Sequence, residues 1–479
     1  MKLKALLRDV QITTVCADAA AEILGVSYDS RTTAPGDLFV AVPGAQCDGS
    51  NFIQQAMDRG AACVVCQQPP EGQTPYVVVP SARRALAVIA ANWFGRPAEE
   101  MTMVGVTGTN GKTTTTVLIK HILEQKAAAR VGLVGTVENM VDRRALLSER
   151  TTPGAWELQR LLRHMADNGC SHVVMEVSSH ALALDRVYGI RFAVGLCTNL
   201  TQDHLDFHGT MERYCAAKAR LLRSCDAAVC NADDPWTPLL LQGSTCPRFT
   251  FGVGEGADLQ AREVQNLPDR VEFVVKTAWE ERFFTYAVPG SFSVYNALAA
   301  TAVCSRLGVP LADCAEVLGR DRGARGRMEV VPTPQRDYTV LIDYAHTPDA
   351  LENVLAAVRG FAAGRVIAVF GCGGDRDRAK RPLMGAIAAR MADVAVVTTD
   401  NPRSEEPMAI IREIVAGMDN AEAVVIEDRR AAVRWALEHG APGDVIVLCG
   451  KGHEPYQEVR GQRHRLDERE IVAEYLKEL

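Results

Sequence analysis

Short apolar runs alternate along the chain with stretches whose apolar positions recur at helical spacing. Residues 131–135, 171–177, 192–197 and 227–230 read as strands separated by helices. That order predicts a mostly parallel sheet covered on both faces. The alternation resumes after about residue 328, where 339–343, 365–370 and 394–397 read as strands of a Rossmann-like α/β unit. Residues 1 to about 95 read as a smaller α/β unit, with a buried strand at 38–42 and an amphipathic helix at 81–94. Gly95-Arg-Pro97 then makes a linker. The expected organisation is α/β in three domains: 1–97, a central 98–327 and 328–479.

At 479 residues the chain is too long for one core. A hydrophobic share of 47% with 23% charged residues is that of an ordinary globular protein. The net charge of −7 argues against a duplex nucleic-acid binder, which carries a basic face. Fourteen cysteines are scattered, and the one close pair, Cys63 and Cys66, sits in an apolar run with no second pair to complete a zinc site. They read as reduced structural thiols. No signal-peptide core or bilayer-length apolar stretch is present, so a cytoplasmic location is expected.

The stretch that carries chemistry is 101–116. An apolar run leads into Gly108, Thr109, Asn110, Gly111, Lys112, Thr113 and Thr114, followed by a helical pattern. Strand, glycine-rich turn and helix start aim backbone N–H groups at phosphate oxygens. Lys112 reaches the terminal phosphates and the Thr113 hydroxyl sits on Mg²⁺. The loop departs from the strict phosphate-loop pattern, since position 106 is valine. In an α/β sheet nucleotide chemistry gathers at the carboxyl ends of strands, which singles out Glu176 as a carboxylate placed for Mg²⁺. The segment 198–208, dense in acids and histidines, directly follows another strand.

Gly-Thr-Asn-Gly-Lys-Thr-Thr at 108–114, Glu-Val-Ser-Ser-His at 176–180 and Asn-Leu-Thr-Gln-Asp-His-Leu-Asp at 199–206 together resemble the Mur ligases. The resemblance covers essentially the whole chain. It implies ATP as co-substrate and Mg²⁺ held by Thr113, Glu176, His204 and Lys218. Lys218 takes the place of a lysine carbamylated by CO₂, so that a cation becomes an anionic oxygen ligand. With Lys112 these form the catalytic group. Asn296, at what reads as the start of a helix, corresponds to the residue that meets adenine, and Arg327 and Asp343, with His346, to residues facing the nucleotide. A hinge is expected at 323–329. Tyr28, Ser30, Ala45, Gln46 and Cys47 fall on the uridine-diphosphate segment, and Thr151, Thr152, Ser178 and Arg186 on segments that touch the UDP-sugar peptide.

Asp400, Asn401, Pro402 and Arg403 fall where tripeptide-forming members of the family separate meso-diaminopimelate from L-lysine, and Asp-Asn-Pro-Arg is the diaminopimelate version. An arginine fork grips the distal carboxylate of diaminopimelate but repels the bare ammonium of lysine. Arg376, Gly450 and Glu454 complete the implied amino-acid pocket, with Glu454 pairing the distal ammonium. The implied partners are UDP-MurNAc-L-Ala-D-Glu, meso-diaminopimelate and ATP, with a monomer favoured. An L-lysine-adding or folate-type ligase, and a P-loop module that binds nucleotide without ligation, are the competing readings.

Overall fold

The structure is a computed structural model that describes residues 1–44, 47–72, 74–418 and 423–478. The chain divides into two compact units, Met1–Thr250 and Phe251–Leu479.

The first unit holds two sheets. One has strand order Thr14–Cys16, Tyr76–Val78, Cys63–Cys66, Asp37–Val40 and Gly25–Ser27, parallel except for its first pair. Helix Ala82–Trp93 covers it, started by the Ser81 side chain accepting from the Arg84 N–H. Leu38, Val40, Val65, Val77 and Ile89 form the core between them.

The other sheet runs Cys225–Asn231, Phe192–Cys197, Thr102–Thr107, His172–Glu176 and Val131–Val134, all parallel. Its strands are buried along nearly their whole length, as a sheet with helices on both faces requires. Glu176 stands opposite Val106 in the register, so the carboxylate and the glycine-rich loop emerge at the same edge. A hairpin, Glu138–Val141 with Arg144–Leu147, extends the sheet antiparallel. The expected alternation of strands and helices does not hold there.

In the second unit three strands, Leu259–Asn266, Val271–Lys276 and Glu281–Tyr286, form an antiparallel meander, another break in the alternation. Helices Ser291–Arg306 and Leu311–Arg320 follow. The last sheet has order Glu329–Val331, Thr339–Asp343, Val445–Cys449, Val366–Phe370, Val394–Val397 and Ala423–Val425. Only its first pair is antiparallel. Val340, Ile342, Val369, Val433 and Leu448 lie in its core. Asp343 and the segments after Val397 and Cys449 therefore share one edge.

Candidate functional site

In the first unit the chain leaves strand Thr102–Thr107 through Gly108, whose φ is +141°. A Cβ there would lie 1.9 Å from the Thr198 hydroxyl, so only glycine lets the loop close on the neighbouring strand end. The loop is tied down on that side: Thr109 N donates to the Asn199 carbonyl at 2.9 Å, and Thr198 Oγ1 donates to the Asn110 carbonyl at 2.6 Å. Lys112 begins helix Lys112–Lys126 and folds back, its Nζ donating to the carbonyls of Gly108 (3.0 Å) and Thr109 (2.8 Å).

Glu176 is buried and joins two groups of residues. Its Oε1 accepts from Thr113 Oγ1 at 3.0 Å and from Thr136 N at 2.8 Å, and its Oε2 accepts from Thr136 Oγ1 at 3.0 Å. Thr136 Oγ1 also contacts Thr151 Oγ1 at 3.0 Å. The Glu176 carbonyl accepts from Thr152 Oγ1 at 2.8 Å, and the Thr152 hydroxyl itself accepts from Ser178 N at 3.1 Å. Arg186 closes the chain by donating Nη1 to the Thr152 carbonyl at 2.9 Å. The phosphate loop and Thr151, Thr152, Ser178 and Arg186 thus form one hydrogen-bonded network. Thr136, which sequence reasoning missed, is its junction. Its place just beyond strand Val131–Val134 was the available signal.

Burial and the neighbouring Arg150 and Arg83 lower the Arg186 guanidinium's hold on its proton, with Glu157 opposing them. Three guanidiniums converging beside one carboxylate suit an anionic ligand. Glu157 also accepts from the Tyr28 hydroxyl, and burial and this bond push the phenol's pKa up. Ser30 is buried and donates to Gln55 Oε1 at 2.7 Å. Cys47 is exposed, while Ala45 and Gln46 lie outside the described residues.

Lys218, on helix Met211–Arg223, is buried. Its Nζ donates to the Gly108 carbonyl at 2.7 Å and lies 4.6 Å from the Tyr214 ring centre. Burial first, then the Lys112 charge, lowers its pKa to about 7. His204 adopts a left-handed conformation at φ +52° and packs edge-on to His180, with centroids 4.9 Å apart. Among the described residues no hydrogen bond joins it to Glu176 or Thr113. No group of three or more His, Cys, Asp or Glu side chains suited to a metal occurs among them. The oxygen donors that do meet are the Thr113 hydroxyl and the Glu176 carboxylate. They are a hard pair of the kind that holds Mg²⁺ when waters and phosphate oxygens supply the remaining positions.

In the second unit Asp343 ends strand Thr339–Asp343, buried, accepting from the N–H groups of Met328 and Ala345, each at 2.8 Å. Burial raises its pKa, and Arg327 is the strongest opposing charge. Arg327 lies over the Tyr344 ring at 5.1 Å, and its buried Nε has no partner among the described residues. His346 Nδ1 donates to the Tyr344 carbonyl at 2.8 Å. Asn296 is not at the start of its helix. The helix begins after Gly290, and Asn296 is buried in its second turn.

The Asp400–Arg403 turn is held from behind. Buried Asp400 accepts from Asn401 N at 2.7 Å, and Asn401 Oδ1 accepts from Lys451 Nζ at 2.7 Å. Glu454 already accepts from Asn401 Nδ2 (2.9 Å) and from Lys451 (3.2 Å), so an ammonium arriving there joins an existing ion pair. Gly450 passes so close that a Cβ would lie 2.7 Å from Asp400 Oδ2. Arg403 has φ +51° and donates Nη1 to the Gly374 carbonyl at 2.7 Å, with Nε 3.3 Å from Glu458. Gly374 is packed under Pro402: a Cβ on it would lie 1.9 Å from the Pro402 carbonyl. A Cβ on Gly373 would lie 2.9 Å from Arg403 Nη1 and 3.8 Å from Arg376 Cγ, so both arginines flank that glycine. Arg376 is exposed and has no ion pair among the described residues. Behind the turn, fully buried Arg429 bonds Glu468 (2.9 Å) and the Cys449 carbonyl (2.7 Å) and lies 4.0 Å from Asp400. Sequence reasoning missed it.

Profiles of three families match the chain: Mur ligase family, catalytic domain over residues 22–94, Mur ligase middle domain over 106–304, and Mur ligase, glutamate ligase domain over 326–452. The UDP-N-acetylmuramoyl-L-alanyl-D-glutamate--2,6-diaminopimelate ligase of Clostridium botulinum is 41% identical over 485 residues, covering 100% of both chains. The protein of the same name from Caldanaerobacter subterraneus subsp. tengcongensis is 44% identical, covering 100% of this chain and 99% of its own. A solved structure of a ligase of that name superposes with a TM-score of 0.74 at 30% identity, covering 100% of this chain and 99% of the other. The MurF ligase of Thermotoga maritima in complex with ADP shares the fold, with a TM-score of 0.56 at 20% identity and coverage of 95% and 97%.

Proposed function

The chain belongs to the Mur ligase family, and from that premise we propose that it is an ATP-dependent ligase joining meso-2,6-diaminopimelate to the D-glutamate of UDP-N-acetylmuramoyl-L-alanyl-D-glutamate. The observation that carries the reading is the Glu176 network, in which one carboxylate is shared between the phosphate loop at Thr113 and Thr136, and Thr136 in turn contacts Thr151. A carboxylate substrate docked on Thr151, Thr152, Ser178 and Arg186 lies next to a nucleotide on Gly108–Thr114. The substrate carboxylate attacks the γ-phosphorus of ATP, ADP leaves, and an acyl phosphate forms. The diaminopimelate amine then attacks the acyl carbon, phosphate leaves and the amide remains.

Lys112 and the loop N–H groups stabilise the charge on the transferring phosphoryl group, where catalysis is positioning and electrostatics. Thr113 and Glu176 would hold Mg²⁺, joined by His204 and by Lys218 as its carbamate. When bound, the metal supplies charge neutralisation at the phosphate oxygens. The burial of Lys218 supports the carbamate assignment, because a lysine amine held near neutrality by its surroundings is nucleophilic toward CO₂. Arg376 and Arg403 take the distal carboxylate of diaminopimelate, and Asn296, Arg327, Asp343 and His346 attend the nucleotide. The boundaries 1–97, 98–327 and 328–479 are the corresponding domain proposal. No described helix is long and apolar enough to cross a membrane, and we place the reaction in the cytoplasm with its nucleotide substrates.

The test is phosphate release from ATP and Mg²⁺ with UDP-MurNAc-L-Ala-D-Glu, comparing meso-diaminopimelate with L-lysine. Release with diaminopimelate alone is expected. Release with lysine would sink the specificity, and release with neither would sink the ligase reading.

A further inference from the structure

We propose that Arg381 is a positioning residue for diaminopimelate, holding the two loops that present Arg376 and Arg403 at one fixed separation. The inference rests on the ligase reading above. Arg381 is the second residue of helix Lys380–Met391 and has no exposed surface, so it acts through the loops and not on the ligand.

Its guanidinium ties the loops together. The first, 371–379, runs from strand Val366–Phe370 into Arg381's own helix and carries Arg376. The second, 398–406, runs from strand Val394–Val397 into helix Pro407–Val415 and carries Arg403. Arg381 Nη2 donates to Glu405 Oε1 at 2.7 Å and Nη1 to Glu405 Oε2 at 2.9 Å, a bidentate pair. Glu405 Oε1 also accepts from Asp375 N at 2.7 Å, one residue before Arg376. Nη1 reaches on to Glu413 Oε2 at 2.8 Å, in helix Pro407–Val415, and Arg378 bonds the same carboxylate. These arginines and glutamates satisfy one another, and Arg376 and Arg403 stay outside the group. Arg381 first, then the Asp375 N–H, holds the Glu405 carboxyl down at about 2, so the clamp is charged at neutral pH.

The backbone of both loops calls for such a clamp. Asp375 has φ +55° and Arg403 φ +51°, left-handed conformations that cost free energy at residues with a side chain and persist where the surroundings hold them. Asp375 adjoins one substrate arginine, and Arg403 is the other. Two guanidiniums that share one ligand carboxylate grip it only while their separation is kept closely. A planar fork can span both Glu405 oxygens and Glu413 together, whereas a lysine ammonium in its place is a point charge.

Phosphate release at varied diaminopimelate is measured for the parent, for Arg381→Lys and for Glu405→Gln, whose amide N–H faces the fork. In both variants KM for diaminopimelate should rise about tenfold, the effect of one weakened charge-assisted hydrogen bond, while KM for ATP and for the UDP-dipeptide stays within about twofold. Amide hydrogen exchange should quicken at 371–377 and 400–406 and hold at strand Thr339–Asp343. A role in stability alone would lower the urea midpoint and leave the KM values level or move them in parallel. An unchanged KM for diaminopimelate in a folded variant, a parallel rise in the other two, or unchanged exchange at both loops overturns the proposal. If Arg381→Lys does not fold, Glu405→Gln decides, because that side chain is 23% exposed and the change leaves its acceptor for Asp375 N in place. A parent that releases no phosphate with diaminopimelate sinks the ligase reading itself, whereas an active parent with indifferent variants sinks this inference alone.

Discussion

Replacing Arg403 with lysine keeps the charge and removes the fork. In the folded chain Nη1 is committed to the Gly374 carbonyl and Nε faces Glu458, while no described residue takes Nη2. The guanidinium thus holds its own loop with one edge and presents the other to a carboxylate. A lysine ammonium has a single nitrogen. If it satisfies Gly374 it withdraws from the ligand, and if it meets the ligand it leaves a carbonyl unmade. Either way one charge-assisted hydrogen bond is lost, about 1.5–3 kcal/mol, or roughly a 10- to 150-fold fall in kcat/KM for diaminopimelate. Phosphate release at varied diaminopimelate measures it, with KM for ATP and for the UDP-dipeptide as internal controls. A change under about threefold, or a parallel rise in KM for ATP, would show that Arg403 is no carboxylate ligand.

Glu176→Gln keeps the shape of the Thr113–Thr136 junction but removes its charge. Phosphate release should fall on the order of a hundredfold, measured at saturating Mg²⁺, and near-parent turnover would refute its role. Lys218→Met makes a pH prediction in CO₂-free buffer. The buried amine has a folded pKa of about 7 against an unfolded value of 10.5, so between these pH values the unfolded chain binds a proton that the folded chain does not. Parent stability therefore rises with pH across that window, and the penalty is full below it. The methionine variant should be more stable at pH 6 by an amount on the order of several kcal/mol, narrowing toward pH 10. Urea midpoints across pH check this, and a constant gap would refute it. Arg429→Met strands buried Glu468 and should cost about 3–5 kcal/mol, with much of that regained in the Arg429→Met/Glu468→Met double variant. Losses that simply add in urea unfolding would count against the pairing.

The parts of the site that the sequence displayed are those whose signal is local. The glycine-rich loop and Glu176 follow apolar runs, and strands buried on both faces announce themselves as such runs. Asp400–Arg403 was legible as a motif, but what seats it was not. Arg429 and Glu468 are far apart in sequence and meet only because their helices pack behind one sheet edge. Thr136 looks like any loop threonine until the parallel register brings strands Val131–Val134 and His172–Glu176 side by side. The hairpin Glu138–Val141/Arg144–Leu147 escaped because its second strand is largely exposed and mixes charged and apolar residues. Strand Val271–Lys276 does alternate buried and half-buried positions, a period-two signal present in the sequence and missed. Asn296 was misplaced within its helix because Gly290, with φ +101°, is already its N-cap and the helix begins at Ser291.

The interlocking of Gly374 with Pro402 bears on how such a specificity could be transplanted. Besides that close approach, Gly374 N donates to the Asn401 carbonyl at 2.9 Å, and Asp375 accepts from Ser404 N at 3.1 Å and Oγ at 2.5 Å. The two segments behave as one cassette. Grafting Asp-Asn-Pro-Arg alone into a scaffold with any side chain at the position of Gly374 would deliver the arginine without its seat. An engineer, or a lineage drifting between amino-acid substrates, has to exchange both loops at once or pass through an intermediate that grips neither.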